Sequence, residues 1–375
     1  MKTVITLQLV ISLFTVLFLS CINVSEPSAP PTTQSGEVTS IQDMSTSRAS
    51  HTATILLDGK VLIAGGFNAS GIALASTELY DPVSHSFTPI GSMNVPRLSH
   101  TATLLSNGKV LITGGYNGTY LSTAEMYDPS TGTFNIIGQM TMPRSDHVAV
   151  LLNNNKVLIV GGVSTGWTFL ATAELFDLNN NTFTTTGNMT TARESHTITL
   201  LNNGKVLITG GHKDRRSAIT IYSSSELYEP ITGTFSATGN MTIRRHKHDA
   251  TLLSDGKVLI SGGSDERDDQ GTYNSTEIYN IETGIFTTAA NMNAARYKFN
   301  GTSVLLNNGQ VLFMGGSGVT ELYNPGTNTF NTVTNGLGVT RLFATTTLLK
   351  SGEVLLSGGY GTNIGASSKA WIYSP

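Results

Sequence analysis

The chain is expected to fold as an all-β, seven-bladed propeller with four antiparallel strands per blade, and three features of its sequence say so. A hydrophobic run closing on a glycine pair occurs seven times, at Gly65-Gly66, Gly114-Gly115, Gly161-Gly162, Gly210-Gly211, Gly262-Gly263, Gly315-Gly316 and Gly358-Gly359. Successive pairs lie 43 to 53 residues apart, too long a period for one strand or helix and right for a small sheet used repeatedly. No stretch of the mature chain sustains a 3.6-residue apolar period, so the regular structure should be almost wholly β.

At the N-terminus, Met1-Lys2 is a minimal positive region, and Val4 to Leu19 is a mostly apolar run too short for a comfortable membrane span. Ser20 then precedes Cys21, the single cysteine of 375 residues, so no internal disulfide can form. In that position Cys21 resembles the acylated first residue of a bacterial lipoprotein, although Phe18 is bulkier than the aliphatic residue usual at its place. The expected processing removes residues 1–20 as a signal peptide and lipidates Cys21; ordinary secretion and a retained anchor are the alternatives. Residues 21–35, rich in Ser, Pro and Thr, read as a tether without a packed core. The expected location is a bacterial cell envelope, facing the periplasm or the exterior, with membrane lipid as a partner through Cys21.

Residues 36–375 are expected to form the propeller. The last unit stops at Trp371-Ile372-Tyr373-Ser374-Pro375, which matches a third strand and leaves no fourth. Gly36 to Met44 precedes Arg48 as Thr133 to Met140 precedes Arg144, so this N-terminal segment should supply the missing strand and close the ring. The second unit shows how each blade is written. His100 to Leu105 is a strand, Ser106-Asn107-Gly108 a tight turn, and Lys109 to Thr113 the return. Glu125 to Asp128 is the third strand, ended by Pro129, and Phe134 to Ile137 the fourth.

The glycine pair after a hydrophobic strand, the Tyr-Asp-Pro phrase, the aromatic in the fourth strand and the intervening arginine together resemble kelch repeats. The resemblance covers residues 36–375. It departs from the commonest pattern in using Phe87, Phe134, Phe183, Phe235, Phe286 and Phe330 where many kelch units carry tryptophan, which keeps an aromatic plug between blades.

Repeated charges suggest structure before function. Arg48, Arg97, Arg144, Arg193, Arg245, Arg296 and Arg341 precede the first strands, while Glu78, Glu125, Glu174, Glu226, Glu277 and Glu321 lie in the third. In kelch relatives such positions commonly form structural pairs, and a residue that serves every blade alike makes no asymmetric catalytic constellation. His51, His100, His147, His196 and His248 share one register, with Gly301 and Ala344 read in that place in the last two blades. Structural hydrogen bonding is the expectation for them, since two zinc ligands must both reach to ~2.0 Å of one ion. No metal or cofactor is expected.

The loops between second and third strands should emerge on the face that carries these Arg and His residues, and there the repeats cease to agree. Blade three offers Trp167 and Phe169; blade four offers His212, Lys213, Arg215, Arg216 and Tyr222; blade five offers Asp265, Arg267, Asp268 and Tyr273. Variable residues on a repeated scaffold are where specificity can reside. Trp167 is suited to stack on an apolar sugar face or to anchor a protein partner, with the charges around it as hydrogen-bonding groups or rim; otherwise it covers its own loop. Asp265, Asp268 and Asp269 also offer oxygens to calcium, without the EF-hand spacing.

With 22 basic and 25 acidic residues and a net charge of −3, the chain lacks the basic surface that nonspecific nucleic-acid binding requires. The expected function is a binding or scaffold module for a carbohydrate, glycoprotein or protein, with no catalytic residue assigned. The alternative is a carbohydrate-active enzyme such as a sugar epimerase. Galactose oxidases share the kelch-like propeller, but their cysteine-linked tyrosine cannot be carried over, because Cys21 lies outside the propeller. The chain also resembles sialic-acid epimerases in being a secreted bacterial kelch propeller, and His246, Arg245 and Glu194 would be the acid, anion clamp and base of such a site.

Overall fold

The computed structural model describes residues 36–215, 219–265, 271–361 and 364–375. The expected signal peptide and tether, Cys21 among them, lie outside the described residues, as do Arg216, Arg267 and Asp268.

Strand β1 (Glu37–Ser40) stands apart from the first sheet, which runs β2 (Thr52–Ile55), β3 (Val61–Ala64), β4 (Thr77–Asp81) and β5 (Ser86–Pro89) from one edge to the other. Five more sheets repeat this order, beginning at Thr101, Val148, Thr197, Asp249 and Ser303. The seventh contains Thr345–Leu348, Val354–Ser357 and Ala370–Ser374 and takes β1 as its outer strand, with Glu37 opposite Ser374 and Ser40 opposite Trp371. The ring therefore closes through the N-terminal strand. First strands of neighbouring blades approach one another and so line the axis.

The second strand of each blade is buried on both faces, which is why it reads as an unbroken apolar run rather than an alternation. Its side chains point alternately to the two neighbours. Val61 and Ile63 pack with Leu355, Ala370 and Ile372 of blade seven, whereas Leu62 and Ala64 pack with Val110 and Ile112 of blade two. Each core thus belongs to a pair of blades. A Tyr or Phe of the third strand meets the fourth-strand Phe with ring centroids 4.7–5.0 Å apart in six blades, where the sequence places its plug. The glycine pair has a steric cause. At Gly65 φ is +63°, and a Cβ there would lie 2.6 Å from the Arg97 carbonyl oxygen and 2.8 Å from the His100 ring.

The repeated charges are buried ion pairs. Arg48–Glu78, Arg97–Glu125, Arg144–Glu174, Arg193–Glu226, Arg245–Glu277 and Arg296–Glu321 meet at 2.7–3.1 Å. Each Arg also donates to the carbonyl of the first glycine of its blade's pair, at 2.8 Å for Arg48 and Gly65. Each Glu accepts from the connection between blades, as Glu78 does from the Ser45 N–H at 2.7 Å. In blade seven Trp371 occupies the glutamate position, and the Arg341 guanidinium lies 5.1 Å from its ring centroid.

The histidines tie neighbouring blades. Nε2 of His51 meets Thr345 and Ser357, that of His100 meets Thr52, that of His147 meets Thr101 and Thr113, and that of His248 meets Thr197 and Thr209. One register assignment needs correction. Phe299, not Gly301, is the blade-six equivalent, because its ring sits under Gly262 as His248 sits under Gly210. Asn300 and Gly301 are inserted between Phe299 and the strand, so counting back from the strand lands on the wrong residue.

Candidate functional site

The site is built on a conformation that recurs once per blade. Two residues after each repeated arginine the backbone turns left-handed, at Ser50, Ser99, Asp146, Ser195, Lys247, Lys298 and Phe343, with φ between +49° and +53°. Such angles are uncommon outside glycine and need support from their surroundings. Support comes from a belt of hydrogen bonds around the axis. The amides of Ser50, Ser99, Asp146, Lys247, Lys298 and Phe343 donate to the carbonyls of Phe343, Ser50, Ser99, Ser195, Lys247 and Lys298 respectively, at 2.8–3.2 Å. With their backbones engaged in the belt, the seven residues present side chains to a cavity of about 510 Å³ at the mouth of the ring.

All seven line that cavity, together with Phe67, Leu98, Glu194, Arg215 and Tyr360. Inter-blade connections and second-to-third-strand loops both contribute, which confirms that they share one face. Beneath it lies a smaller cavity of about 190 Å³, lined by His51, His100, His147 and His196.

Glu194 is the most constrained group at the mouth. The residue after each repeated arginine bridges the residue after the glycine pair in six blades, and in blade four this sets Glu194 opposite His212. The His212 Nε2 lies 3.0 Å from Glu194 Oε1, and Arg215 donates to the same oxygen at 2.6 Å. Among the described residues Oε2 has no hydrogen-bond partner, although the side chain is 3% exposed. Burial pushes the Glu194 carboxyl up against the opposing pull of Arg215 and Lys247. Burial, then the charges of Lys247 and Arg215, bring His212 down to about 3. His212 is therefore neutral. With Nε2–H donating to the carboxylate, its bare Nδ1 accepts from His246 Nδ1–H, 3.0 Å away. Asp146 is also pushed up, by burial first and by Glu194 second.

The structure brings together some of the residues expected to form a site and separates others. Trp167, Phe169, His212 and Arg215 form one cluster, in which the Arg215 guanidinium lies 4.1 Å from the Trp167 ring centroid and 5.9 Å from that of Phe169. Phe169 meets His212 edge to face at 5.8 Å. Trp167 is 58% exposed, but Arg215 covers one face of its ring and Tyr120 stands at its side. Lys213 is exposed on the same loop. Tyr222 is apart, over the buried Arg193, with burial raising its hydroxyl to about 12. Tyr273 lies over Arg245, and Asp265 reaches Arg244 at 3.9 Å; neither lines the mouth. The proposed clamp role of Arg245 fails, because that side chain is wholly buried and held by Glu277.

Asp146, Lys247, Lys298 and Phe343 were not anticipated. A signal was present: between each repeated Arg and the register of His51, the second residue reads Ser, Ser, Asp, Ser, Lys, Lys, Phe, variable within a fixed frame. Among the described residues no group of three or more His, Cys, Asp or Glu side chains is arranged to hold a metal ion.

The family model for the Kelch motif matches residues 48–94, 97–141, 143–190 and 250–293. None of the curated proteins matches the chain. Among solved structures, a fungal alcohol oxidase of the AA5 family, in complex with copper, is similar over 91% of this chain and 76% of its own, with 17% identity and a TM-score of 0.74. At that identity the likeness is one of fold alone.

Proposed function

We propose that this chain, a kelch-repeat β-propeller, is a binding module whose mouth cavity receives a polar group of a carbohydrate, glycoprotein or protein, and that lipid on Cys21 holds it at a bacterial cell envelope. One observation carries the binding reading: seven positions equivalent in backbone carry four different kinds of side chain, and all of them line one cavity. A ring with only a structural task would repeat its side chains, as the Arg and Glu positions do. The test is an array of glycans and extracellular proteins probed with the mature chain and with Lys298→Asn and Trp167→Ala variants of unchanged melting temperature. Asparagine is chosen because it tolerates the left-handed backbone. Loss of a specific signal in Lys298→Asn supports the mouth. A signal kept there and lost in Trp167→Ala moves the site to the rim, and no signal at all counts against the binding module. For the anchor, fatty-acid labelling that persists in Cys21→Ser would refute lipidation.

A second reading, a carbohydrate-active enzyme of the sugar-epimerase kind, is favoured by the alignment of Glu194, His212 and His246, which links a carboxylate at the cavity wall to two buried imidazoles. Monosaccharides incubated with the protein in deuterated water would report it by deuterium uptake. Uptake that is absent, or equal in Glu194→Gln, ends this reading.

A further inference from the structure

Resting on the mouth-binding reading, we infer that the mouth takes a neutral sugar by two adjacent hydroxyls, seated at the junction between blades three and four on the Ser195 amide, the Asp146 carbonyl and the Glu194 carboxylate. The belt singles out this junction. Its amides donate from Ser50 to Phe343, Ser99 to Ser50, Asp146 to Ser99, Lys247 to Ser195, Lys298 to Lys247 and Phe343 to Lys298. The seventh bond of the series would run from the Ser195 amide to the Asp146 carbonyl. It is not made, and among the described residues neither group has another hydrogen-bond partner. Asp146 and Ser195 both line the mouth and the smaller cavity beneath it, so the gap opens on space that a ligand can reach.

Two further observations fall at the same junction. Glu194 precedes Ser195 and lines the mouth with a side chain that is 3% exposed. His212 and Arg215 both use its Oε1, and among the described residues Oε2 has no hydrogen-bond partner. A buried acceptor without a donor is unfavourable, and a ligand O–H removes the penalty. His196 is also, of the five histidines between blades, the one with no hydroxyl on either ring nitrogen among the described residues. The gap is not a parting of the blades. Their first strands pack as those of other neighbours do, and the Arg215 guanidinium of blade four lies 4.1 Å from the Trp167 ring centroid of blade three.

The unpartnered set is one donor, the Ser195 N–H, and two acceptors, the Asp146 C=O and Glu194 Oε2. A ligand carboxylate offers acceptors alone, and an ammonium donors alone. A trans peptide unit carries both but aims them to opposite sides, so a single one does not close the gap. A hydroxyl donates and accepts at one atom. One sugar hydroxyl accepts from Ser195 and donates to the Asp146 carbonyl, in place of the seventh belt bond. Its neighbour on the ring donates to Glu194 Oε2, and hydrogen bonds to carboxylate oxygens are among the strong ones. Phe67, Leu98, Phe343 and Tyr360 supply apolar wall for the C–H surface of the sugar, and a cavity of about 510 Å³ suits a ligand of that size.

Hydrogen exchange of the belt amides, read by NMR on the mature chain, tests this with glucose, galactose, mannose and xylose as probes. Without sugar, the Ser195 amide should exchange roughly tenfold faster, or more, than the other six. One of the sugars should bind in calorimetry and slow Ser195 by a similar factor while leaving the other six unchanged. Its affinity should fall roughly tenfold or more in Glu194→Gln, and deoxy analogues should single out two adjacent carbons with losses of that size. A Ser195 amide as protected as its neighbours in the free protein would overturn the inference, as would a bound sugar that leaves it exchanging freely. So would silence from all four sugars while an array ligand still depends on Lys298, which leaves mouth binding standing. An array ligand indifferent to both Lys298→Asn and Glu194→Gln would instead remove the mouth reading, and the inference with it.

Discussion

Val148 stands where four other blades place a threonine against the next blade's histidine, and among the described residues His196 consequently has no hydroxyl partner on either ring nitrogen. Thr52, Thr101, Thr197 and Thr345 meet His100, His147, His248 and His51, whereas Val148, which lines the same small cavity as His196, has no hydroxyl to offer. The second hydroxyl position, held by Thr113, Thr209 or Ser357 elsewhere, is Val160 in this blade. Val148→Thr should therefore stabilise the fold by about 1 kcal/mol, the usual net value of one hydrogen bond. The check is the denaturant midpoint at constant slope, and the gain should vanish in a His196→Phe background.

The junction between blades five and six replaces the histidine tie with a carboxylate. Asp249 Oδ2 accepts from the Thr302 and Ser303 amides at 3.0 and 2.9 Å and from the Ser303 hydroxyl at 2.7 Å. This fastens the insertion that follows Phe299. Asp249→Ala leaves the buried Thr302 amide and the half-buried Ser303 amide unpartnered and should cost about 3 kcal/mol, against about 1 kcal/mol for Asp249→Asn, which keeps one acceptor oxygen. Equal losses in urea unfolding would argue against the bonded arrangement.

Arg193→Ala and Arg341→Ala should differ. The first strands the Glu226 carboxylate in a fully buried pair and should destabilise by about 3–5 kcal/mol. The second removes a stack on Trp371 and one hydrogen bond to the adjacent Thr340 carbonyl, strands no buried charge, and should cost about 1–2 kcal/mol. Parallel melts of the two variants decide it, and the reverse order would be incompatible with the pairing described.

Acid should destabilise the propeller from about pH 6.5 downwards. Burial, followed by neighbouring charges, lowers the imidazoles of His51, His100, His147, His196, His212 and His248, bringing His100, His196 and His212 to about 3. Unfolded, each takes up a proton near the ordinary value of 6.5; folded, each remains neutral well below it. The unfolded state therefore binds more protons across this window, and stability falls as pH falls. Asp146, Glu194 and Asp249 act in the opposite sense at its lower end, because burial pushes their carboxyls up and the folded chain takes their protons first. Melting temperature should drop between about pH 7 and pH 5. His100→Phe, which copies the natural Phe299 of blade six, should reduce that slope by one proton.

Deleting residues 36–40 should open the ring. Strand β1 supplies the outer ladder of blade seven, and the removal exposes the Ala370–Ser374 edge to other chains. Aggregation or a broadened thermal transition is expected; an unchanged sharp transition would show that closure does not depend on β1.

Legibility followed the repeats. Seven blades, their turns, the buried Arg–Glu pairs and the closing strand recur or complete a pattern along the chain, so neighbouring copies calibrate one another. The candidate site was only half visible. Trp167, Phe169, His212 and Arg215 announced themselves as chemistry in variable loops, and they do cluster. Tyr222, Asp265 and Tyr273 carried the same signal yet lie apart from the mouth, because loop membership does not say where a side chain reaches.

What the amino-acid sequence determined alone is the architecture: a period near fifty residues, apolar runs buried on both sides, and glycines where a Cβ would strike an arginine carbonyl. These are local requirements, satisfied blade by blade. Only the tertiary structure decided the mouth. Asp146, Lys247, Lys298 and Phe343 lie far apart along the chain and become neighbours of one cavity only when the ring closes and the left-handed belt turns each toward the axis. Their charges act on one another through space, and that distance is set by closure rather than by the order of residues along the chain.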